Sequence, residues 1–438
     1  MGEPVHKELP AVIPLEESWY RRLLVFAPVI GVIAGAMAVL FMGITGTATE
    51  ILFGGTGTGW WAGHWWWVPL TATGGLAIAI LRKTWGVSRD VPGAIVLAHQ
   101  AWVDPSKAFH WVAISTVSLV MGASLGPSFA LAVMGGGFGA WLITRLGSQA
   151  SAADARQGFA LTGMAGGMGG GYSAPLFAPV LVSELSPTSK ENYVALFIAE
   201  LFAATFGFVV YYGVTGSTML GSYRLPEYRP QIVDLLAGAL LGAAAVLVLL
   251  LHTLLSKLIN AAANSVANPY LLGAGGGALV GLISFALPLT ATAGSSQLGT
   301  ALELSGDIGV GLLAAILIGK MIAIALSQSC GFLGGVVFPA IFLGGTAGLL
   351  VHALFPAIPI ALCVGAMLAA VPGAFLNAPL ALIMIAAGTI RLGPEALLPV
   401  GIAVVTAHIL MSVMRKYVST ESHSPTTDGI PGRNSTAE

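Results

Sequence analysis

The chain has 438 residues, of which 56% are hydrophobic and 8% are charged, and its formal net charge is −1. Soluble domains carry about 25% charged residues, so this composition excludes a soluble domain and predicts an integral membrane protein. The formal net charge gives no sign of a nucleic-acid partner, and none is predicted. The two cysteines (Cys330 and Cys363) and the eight histidines show no metal-ligand spacing, so neither a metal nor a cofactor is predicted.

Long segments without Asp, Glu, Lys or Arg run through the chain, and the longest spans residues 321–390. As helix, at a rise of ~1.5 Å per residue, these residues cover about three bilayer crossings. Runs of this length predict an all-α protein and exclude a β-barrel, whose strands alternate over about 10 residues. In chain order we predict helices near residues 22–53, 60–84, 107–123, 127–146, 157–172, 175–187, 192–213, 231–260, 269–287, 308–328, 335–354, 358–375, 378–389 and 396–414. Several are shorter than the roughly 20 residues of a full crossing, which predicts broken, tilted and re-entrant helices.

Glycine and proline interrupt the apolar segments at similar places in the two halves of the chain. The stretch "SLGPSFALAVMGGGFG" (124–139) is followed by "YSAPLFAPVLVSE" (172–184). In the second half, "GGVVFPAIFLGGTAG" (334–348) is followed by "FLNAPLALIMIAAG" (375–388). Interrupted hydrophobic segments at matching places in two repeats are typical of transporter binding sites.

The spacing of the prolines predicts an internal duplication. The interval from Pro127 to Pro339 is nearly the same as the interval from Pro175 to Pro379. We therefore predict four parts, which are a cytoplasmic segment (1–20), a first membrane repeat (21–213), a second membrane repeat (214–416) and a disordered cytoplasmic tail (417–438).

The breaks themselves suggest an anion site. Proline fits the first turn of a helix, where the backbone amides have no partner within the helix. In lipid these amides must meet protein, water or a ligand, and the positive end of the helix dipole favours an anion. Helices are expected to start in this way at Pro127 and at residues 336–339, with a third, shorter one at Pro92. The alternative is that the prolines only kink or terminate ordinary spans.

At these motifs the sequence resembles the CLC family of chloride channels and chloride/proton antiporters, over residues 20–415. That family has GxxGP or GxEGP before one half-helix, GGxFxP before another and GSGIP before a third. Here the corresponding stretches read "ASLGP" (123–127), "GGVVFP" (334–339) and "SRDVP" (88–92). The resemblance implies a CLC-type inverted repeat and a homodimer with one pore per subunit. It also implies an anion site formed by Ser124, Leu125, Gly126, Val336, Val337 and Phe338, with Arg89 at the inner entrance.

Several residues depart from the family pattern. Leu125 occupies the position of the family's gating glutamate, and Leu185 that of its internal proton glutamate, while Glu184 matches a neighbouring glutamate that borders the proton path. Arg89 aligns with the family's pore serine, with the alternative that it is an interfacial arginine, and Asp90 is a candidate cap for the following helix. The pore tyrosine is not found.

These losses favour an uncoupled channel or uniporter for chloride or similar small anions, because protons need titratable groups or water to cross a membrane. A proton-coupled chloride or fluoride antiporter of the same fold is the alternative. A remote alternative, an intramembrane serine protease, would use Ser124 with His110 or His408 as the base. Otherwise no enzyme activity is expected.

Charged residues inside apolar runs are the remaining candidates, and Lys320 is the clearest of them. It is expected either to pair with Glu184 or Glu200 or to face water; Glu50 is a fourth such residue. Basic flanks favour the cytoplasmic side, and the pairs at 21–22 and 415–416 place both termini in the cytoplasm of a multi-pass cell-membrane protein.

Overall fold

The computed structural model describes residues 13–54, 63–147, 153–186, 192–218, 222–390 and 392–421. These residues form sixteen α-helices and two short 3-10 turns, which confirms the all-α prediction. The helices are α1 Ser18–Phe53, α2 Trp67–Trp85, α3 Ala94–Gln100, α4 Pro105–Val120, α5 Ser128–Arg145, α6 Ala153–Gly171, α7 Phe177–Leu185, α8 Tyr193–Thr215, α9 Val233–Asn264, α10 Pro269–Ala286, α11 Ser295–Glu303, α12 Val310–Ser329, α13 Val337–Leu354, α14 Ile360–Leu376, α15 Pro379–Ile390 and α16 Leu397–Glu421.

Helix length varies widely. Among the described residues, seven segments are long and apolar enough to cross a membrane. With its 36 residues, α1 would span about 54 Å at 1.5 Å per residue, so it must tilt or extend beyond a hydrocarbon core of about 30 Å. In contrast, α3, α7, α11 and α15 have 7, 9, 9 and 12 residues, too few for a crossing. The prediction of broken and tilted helices is therefore confirmed.

Glycine lets the helices touch backbone to backbone. An added Cβ on Gly35 of α1 would lie 2.6 Å from the carbonyl oxygen of Gly207 of α8, and one on Gly348 of α13 would lie 2.6 Å from that of Cys363 of α14. Small residues at helix crossings allow this close approach in membrane proteins, where van der Waals packing replaces the hydrophobic effect between helices. Methionine or leucine at these positions would push the two helices apart.

The two halves repeat the same helix order, and the offset between them is constant around the central breaks. Helices α4 and α12 end at Val120 and Ser329, and α5 and α13 begin at Ser128 and Val337. The left-handed glycines after α4 and α12, Gly122 (φ 84°) and Gly331 (φ 96°), have the same offset. The break before α15 also repeats, at a slightly smaller offset, since Ser173 and Asn377 both have positive φ.

The helix pattern differs from the sequence prediction in four places. The structural counterpart of Pro127 is Val336, so Pro339 is not its equivalent and lies inside α13. Helix α11 was not predicted, because "SSQLGTALE" lacks the hydropathy of a membrane span. Helix α16 continues to Glu421, past the predicted start of the tail at residue 417; residues 1–12 and 422–438 lie outside the described residues. The predicted boundary at residue 213 falls just before the end of α8 at Thr215.

Candidate anion site between the two repeats

The starts of α5 and α13 meet at a pair of glycines. Gly126 N–H donates to the Gly335 carbonyl at 2.7 Å, and Gly335 N–H donates to the Gly126 carbonyl at 2.7 Å, which forms an isolated antiparallel bridge. Glycine is needed here because a Cβ on Gly335 would lie 2.7 Å from Ser128 Cβ and 2.8 Å from the Phe129 nitrogen. The two helix breaks, which are far apart in the sequence, thus lie side by side in the structure.

Two serines each bind the loop that precedes the bridge glycine of the other repeat. Ser327 Oγ on α12 accepts from Ser124 N–H at 3.0 Å, and Ser118 Oγ on α4 accepts from Leu333 N–H at 2.9 Å. Each serine in turn donates to a carbonyl of its own helix, Ala323 or Ile114. Each repeat therefore positions the break of the other, and backbone amides that would be buried without a partner are satisfied.

The amides just beyond the bridge have no partner within their helices. The first backbone hydrogen bond of α5 runs from Leu131 to Pro127, and that of α13 from Ala340 to Val336. The amides of Ser128, Phe129, Val337 and Phe338 precede these bonds. Two positive helix ends therefore converge inside the protein, which is an arrangement that favours a bound anion.

A cavity of about 320 Å³ reaches the bridge from one side. Its inner end is lined by Leu125, Pro127 and Phe338, and its outer part by the carboxyl end of α1 and the segment 292–297. A second cavity of about 490 Å³ adjoins it and shares Met42, Ser295, Ser296 and Phe338 with it; we call the two together the vestibule. The lining is rich in hydroxyl groups, contains the carboxylates Glu50 and Glu303, and includes no lysine or arginine of the described residues.

The residues predicted at the starts of α5 and α13 lie around the bridge. Leu125 and Phe338 are buried, with 1% and 4% of their surface exposed, and form the apolar floor of the vestibule. Gly126 uses its own N–H for the bridge. Val336 caps the start of α13 and Val337 is its first residue, and Ser124 is fully buried with no hydrogen-bond partner for its Oγ among the described residues.

Two further hydroxyl groups lie at the same place and were missed by the sequence analysis. Tyr172, which directly follows α6, stacks on Phe338 with ring centroids 5.1 Å apart and planes at 19°. Its hydroxyl faces the Ser128 side chain but closes no hydrogen bond of standard geometry with it, and neither hydroxyl has another partner among the described residues. A tyrosine in "MGGGYSAP" carries no signal of its own, because only the fold brings it to the start of α5.

Arg89 lies away from the vestibule. It lines a cavity of about 220 Å³ with Arg82, Lys83 and Gly331 at the carboxyl end of α2, whereas the vestibule opens near the carboxyl end of α1. The Arg89 cavity and the vestibule share no lining residue. Arg89 donates to Asn264 Oδ1 of α9. The cap of α3 is Gly93 and not Asp90.

The two glutamates near the predicted proton path have local partners. Glu184, at the end of α7, accepts from the amides of Leu380 and Ala381 at 3.0 and 2.8 Å, so it caps the start of α15. Glu200 on α8 is 1% exposed and accepts from Ser183 Oγ at 2.7 Å, and its other oxygen has no partner among the described residues. Leu185, at the position of the family's internal glutamate, is the last residue of α7.

Lys320 pairs with neither glutamate and does not face water. It is fully buried, and its Nζ donates to the carbonyls of Thr290 and Thr292 at 3.0 and 2.6 Å and lies 5.1 Å from the centre of the Phe342 ring. Among the described residues, no carboxylate forms an ion pair with Lys320. Its Nζ lies directly behind Thr292, which lines the vestibule.

Ser124 has no activating base. Its Oγ has no hydrogen-bond partner among the described residues, His110 packs edge-on against Trp85, and His408 lies near Glu184. A serine nucleophile needs a base in hydrogen-bond contact, so this geometry gives no support to a protease.

The sequence matches known proteins over most of its length. The sequence profile described as "Voltage gated chloride channel" matches residues 74–412. The uncharacterized protein MJ0305 of Methanocaldococcus jannaschii is 29% identical over 200 residues, which are 44% of this chain and 48% of that protein. YfeO of Salmonella choleraesuis, named as a candidate ion-transport protein, is 26% identical over 300 residues, which are 67% of this chain and 71% of that protein. The chain thus spans about half the length of MJ0305 in that match.

Solved structures share the fold. A CLC-type fluoride/proton antiporter superimposes with a TM-score of 0.73 and 19% identity, over 90% of this chain and 96% of that one. A slow cyanobacterial chloride/proton antiporter gives a TM-score of 0.71 with 18% identity, over 92% and 99% of the two chains. At these identities the likeness shows a common architecture of inverted repeats. Together with the profile match over residues 74–412, it shows that this chain belongs to the voltage gated chloride channel family, the CLC family.

Proposed function

We propose that this protein passes chloride or similar small anions across a lipid bilayer, through a pore at the Gly126–Gly335 bridge and without stoichiometric proton coupling. The observation that carries this proposal is the meeting of the α5 and α13 starts at the bridge. The first amides of these helices have no partner within the helices and offer an anion partial positive charge. The vestibule leads from one face of the membrane to this point.

The residues at the positions of the family's gating and internal glutamates favour passage without protons. Leu125 has no charge with which to plug the site or to carry a proton, and Leu185 likewise cannot titrate. Glu184 is occupied as the cap of α15. One observation favours the alternative of a proton-coupled antiporter, since Glu200 is a buried carboxyl group with one oxygen that has no partner among the described residues.

Liposome reconstitution tests the proposal at its simplest level. Vesicles that contain the purified protein and high internal chloride are expected to release chloride when a potassium ionophore relieves the membrane potential, and to retain it without the ionophore. Protein-free vesicles set the background rate. Release no faster than this background, for chloride, nitrate and fluoride alike, would contradict the proposed function.

The orientation of the protein in the membrane and its oligomeric state are also part of this proposal. The basic residues Arg82 and Lys83 end α2, Arg145 ends α5 and Arg415 lies near the end of α16. Positive residues favour the cytoplasmic side, so we place the carboxyl ends of these helices there in a cell membrane. We also propose a homodimer with a pore in each subunit, as the family resemblance implies.

Lys320 is expected to raise the affinity of the vestibule for anions. The protonated form of Lys320 attracts an anion in the vestibule; at an effective dielectric constant of about 20, Coulomb's law gives about 1.7 kcal/mol of attraction for two unit charges at a separation of about 10 Å. We expect Lys320→Met to weaken chloride binding and to reduce chloride efflux at low chloride by about tenfold. Isothermal titration and vesicle efflux measure the two effects.

Matched variants separate the charge of Lys320 from its structural role. Lys320→Gln keeps a donor for the Thr290 and Thr292 carbonyls but lacks the charge, so it should resemble Lys320→Met. Lys257→Met removes an exposed lysine from α9 and should behave as wild type. Wild-type chloride affinity in both Lys320 variants would show that the buried charge does not act on the anion.

A further inference from the structure

Two buried hydroxyl groups at the start of α5 have no hydrogen-bond partner among the described residues. Tyr172 is 0% exposed and Ser128 is 1% exposed, and the oxygen of each lacks a partner of standard geometry. A polar group left unpaired in a protein interior is unfavourable, and most buried polar groups therefore have a partner. Two such groups that face each other at one point indicate a ligand between or beside them.

The position of this pair coincides with the anion site. Ser128 is the first residue of α5, and Gly335 of the bridge packs so closely on it that a Cβ there would overlap its side chain. Tyr172 stacks on Phe338, the second residue of α13, and packs edge-on against Phe177 at 5.3 Å. The ring of Tyr172 is thus held between Phe338 of α13 and Phe177 of α7, and its hydroxyl has no hydrogen-bond partner among the described residues.

We propose that the Tyr172 and Ser128 hydroxyl groups donate hydrogen bonds to the anion that passes the bridge, and so set its selectivity. This inference rests on the proposed function. The two hydroxyl groups take the chemical role of the family's pore serine and pore tyrosine, which were not found at the expected sequence positions. They belong to the residue directly after α6 and to the first turn of α5. Phe338 lines the vestibule and covers Tyr172, so the pair lies one side chain deeper than the vestibule floor.

Hydroxyl donors favour small anions over large ones. A compact anion such as chloride accepts shorter and stronger hydrogen bonds than iodide, because charge-assisted hydrogen bonds strengthen as the partners approach. Loss of a donor therefore reduces chloride affinity more than iodide affinity. A purely structural role for Tyr172 would change the affinities of both anions by the same factor.

The test is Tyr172→Phe, which keeps the ring and its stacking on Phe338. Chloride affinity, measured by isothermal titration of the purified protein, is expected to fall by about tenfold, the factor that corresponds to the lower bound for a hydrogen bond to a charged group. Iodide affinity is expected to fall less, so the chloride-to-iodide ratio decreases. The same change in ratio should be found in vesicle efflux.

Two further variants make the result decisive. Tyr20→Phe removes a buried hydroxyl group that donates to the Ala195 carbonyl at 3.0 Å, far from the bridge in the sequence, and should leave anion affinity unchanged. Ser128→Ala should weaken chloride binding, and its effect should not add fully to that of Tyr172→Phe if both bind one ion. Wild-type chloride affinity and ion ratio in both variants would overturn the inference, while conduction by the wild-type protein would leave the proposed function intact. A wild-type protein that neither binds nor conducts anions would instead refute the proposed function.

Discussion

Replacing Leu125 with glutamate is expected to block anion passage at neutral pH and to make it depend on pH. Leu125 lies at the vestibule floor, one residue before the bridge glycine of the first repeat. A carboxylate there would occupy the positive ends of α5 and α13 and compete with a permeant anion. The positive ends of α5 and α13 favour the ionised form of the introduced carboxyl group, so we expect chloride efflux by Leu125→Glu at pH 7.5 to fall by about tenfold or more.

The sign of the pH effect follows from the same competition. As the pH falls through the pKa of the introduced glutamate, the side chain becomes neutral and releases the site, so efflux by Leu125→Glu should rise toward acidic pH. Leu125→Gln has nearly the same shape and no charge, and should conduct at a rate independent of pH. Wild-type efflux from Leu125→Glu at pH 7.5 would show that Leu125 does not border the anion path.

A tenfold chloride gradient across the membrane is expected to drive no proton movement through the protein. For an uncoupled pathway, the current should reverse at the equilibrium potential of chloride, about 59 mV for a tenfold gradient of a monovalent ion. A proton gradient imposed at equal chloride concentrations should leave this potential unchanged. Bilayer recordings and a pH-sensitive dye trapped in vesicles measure the two quantities independently.

Steady proton uptake against a pH gradient, driven by chloride, would contradict uncoupled passage and favour the antiporter alternative. Glu200 would then be the group to test, since it is fully enclosed and hydrogen-bonded on one oxygen by Ser183. Glu200→Gln keeps its size and polarity and would abolish the proton movement while leaving chloride passage. The outcome with Glu200→Gln therefore separates a proton carrier from a buried structural carboxyl group.

Local sequence signals were sufficient to locate the helix breaks. Gly126-Pro127 and the glycines before Val336 interrupt apolar runs, and both places are helix starts in the structure. Proline and glycine act through the backbone of their own residue, so their effect can be predicted without tertiary contacts. The 12-residue helix α15 after the break at Asn377 was predicted for the same reason.

Alignment of the two repeats by their prolines was wrong by a little less than one helical turn. Proline spacing makes Pro339 the equivalent of Pro127, whereas the glycine bridge and the left-handed glycines place Val336 there. The first turn of a helix tolerates proline at several positions, since its first amides lack intrahelical partners. Proline is therefore a weaker marker of register than a glycine whose φ must be positive.

Sequence alone determined that this is a membrane protein of duplicated, interrupted helices, because hydropathy and backbone stiffness are properties of short segments. The tertiary structure decided what surrounds the breaks, namely that Gly126 pairs with Gly335, that Lys320 binds the Thr290 and Thr292 carbonyls, and that Tyr172 faces Ser128. In each case the partners belong to different helices or loops and lie far apart in the chain. Packing of distant helices brings them together, and no local rule of composition or spacing encodes which helices will pack.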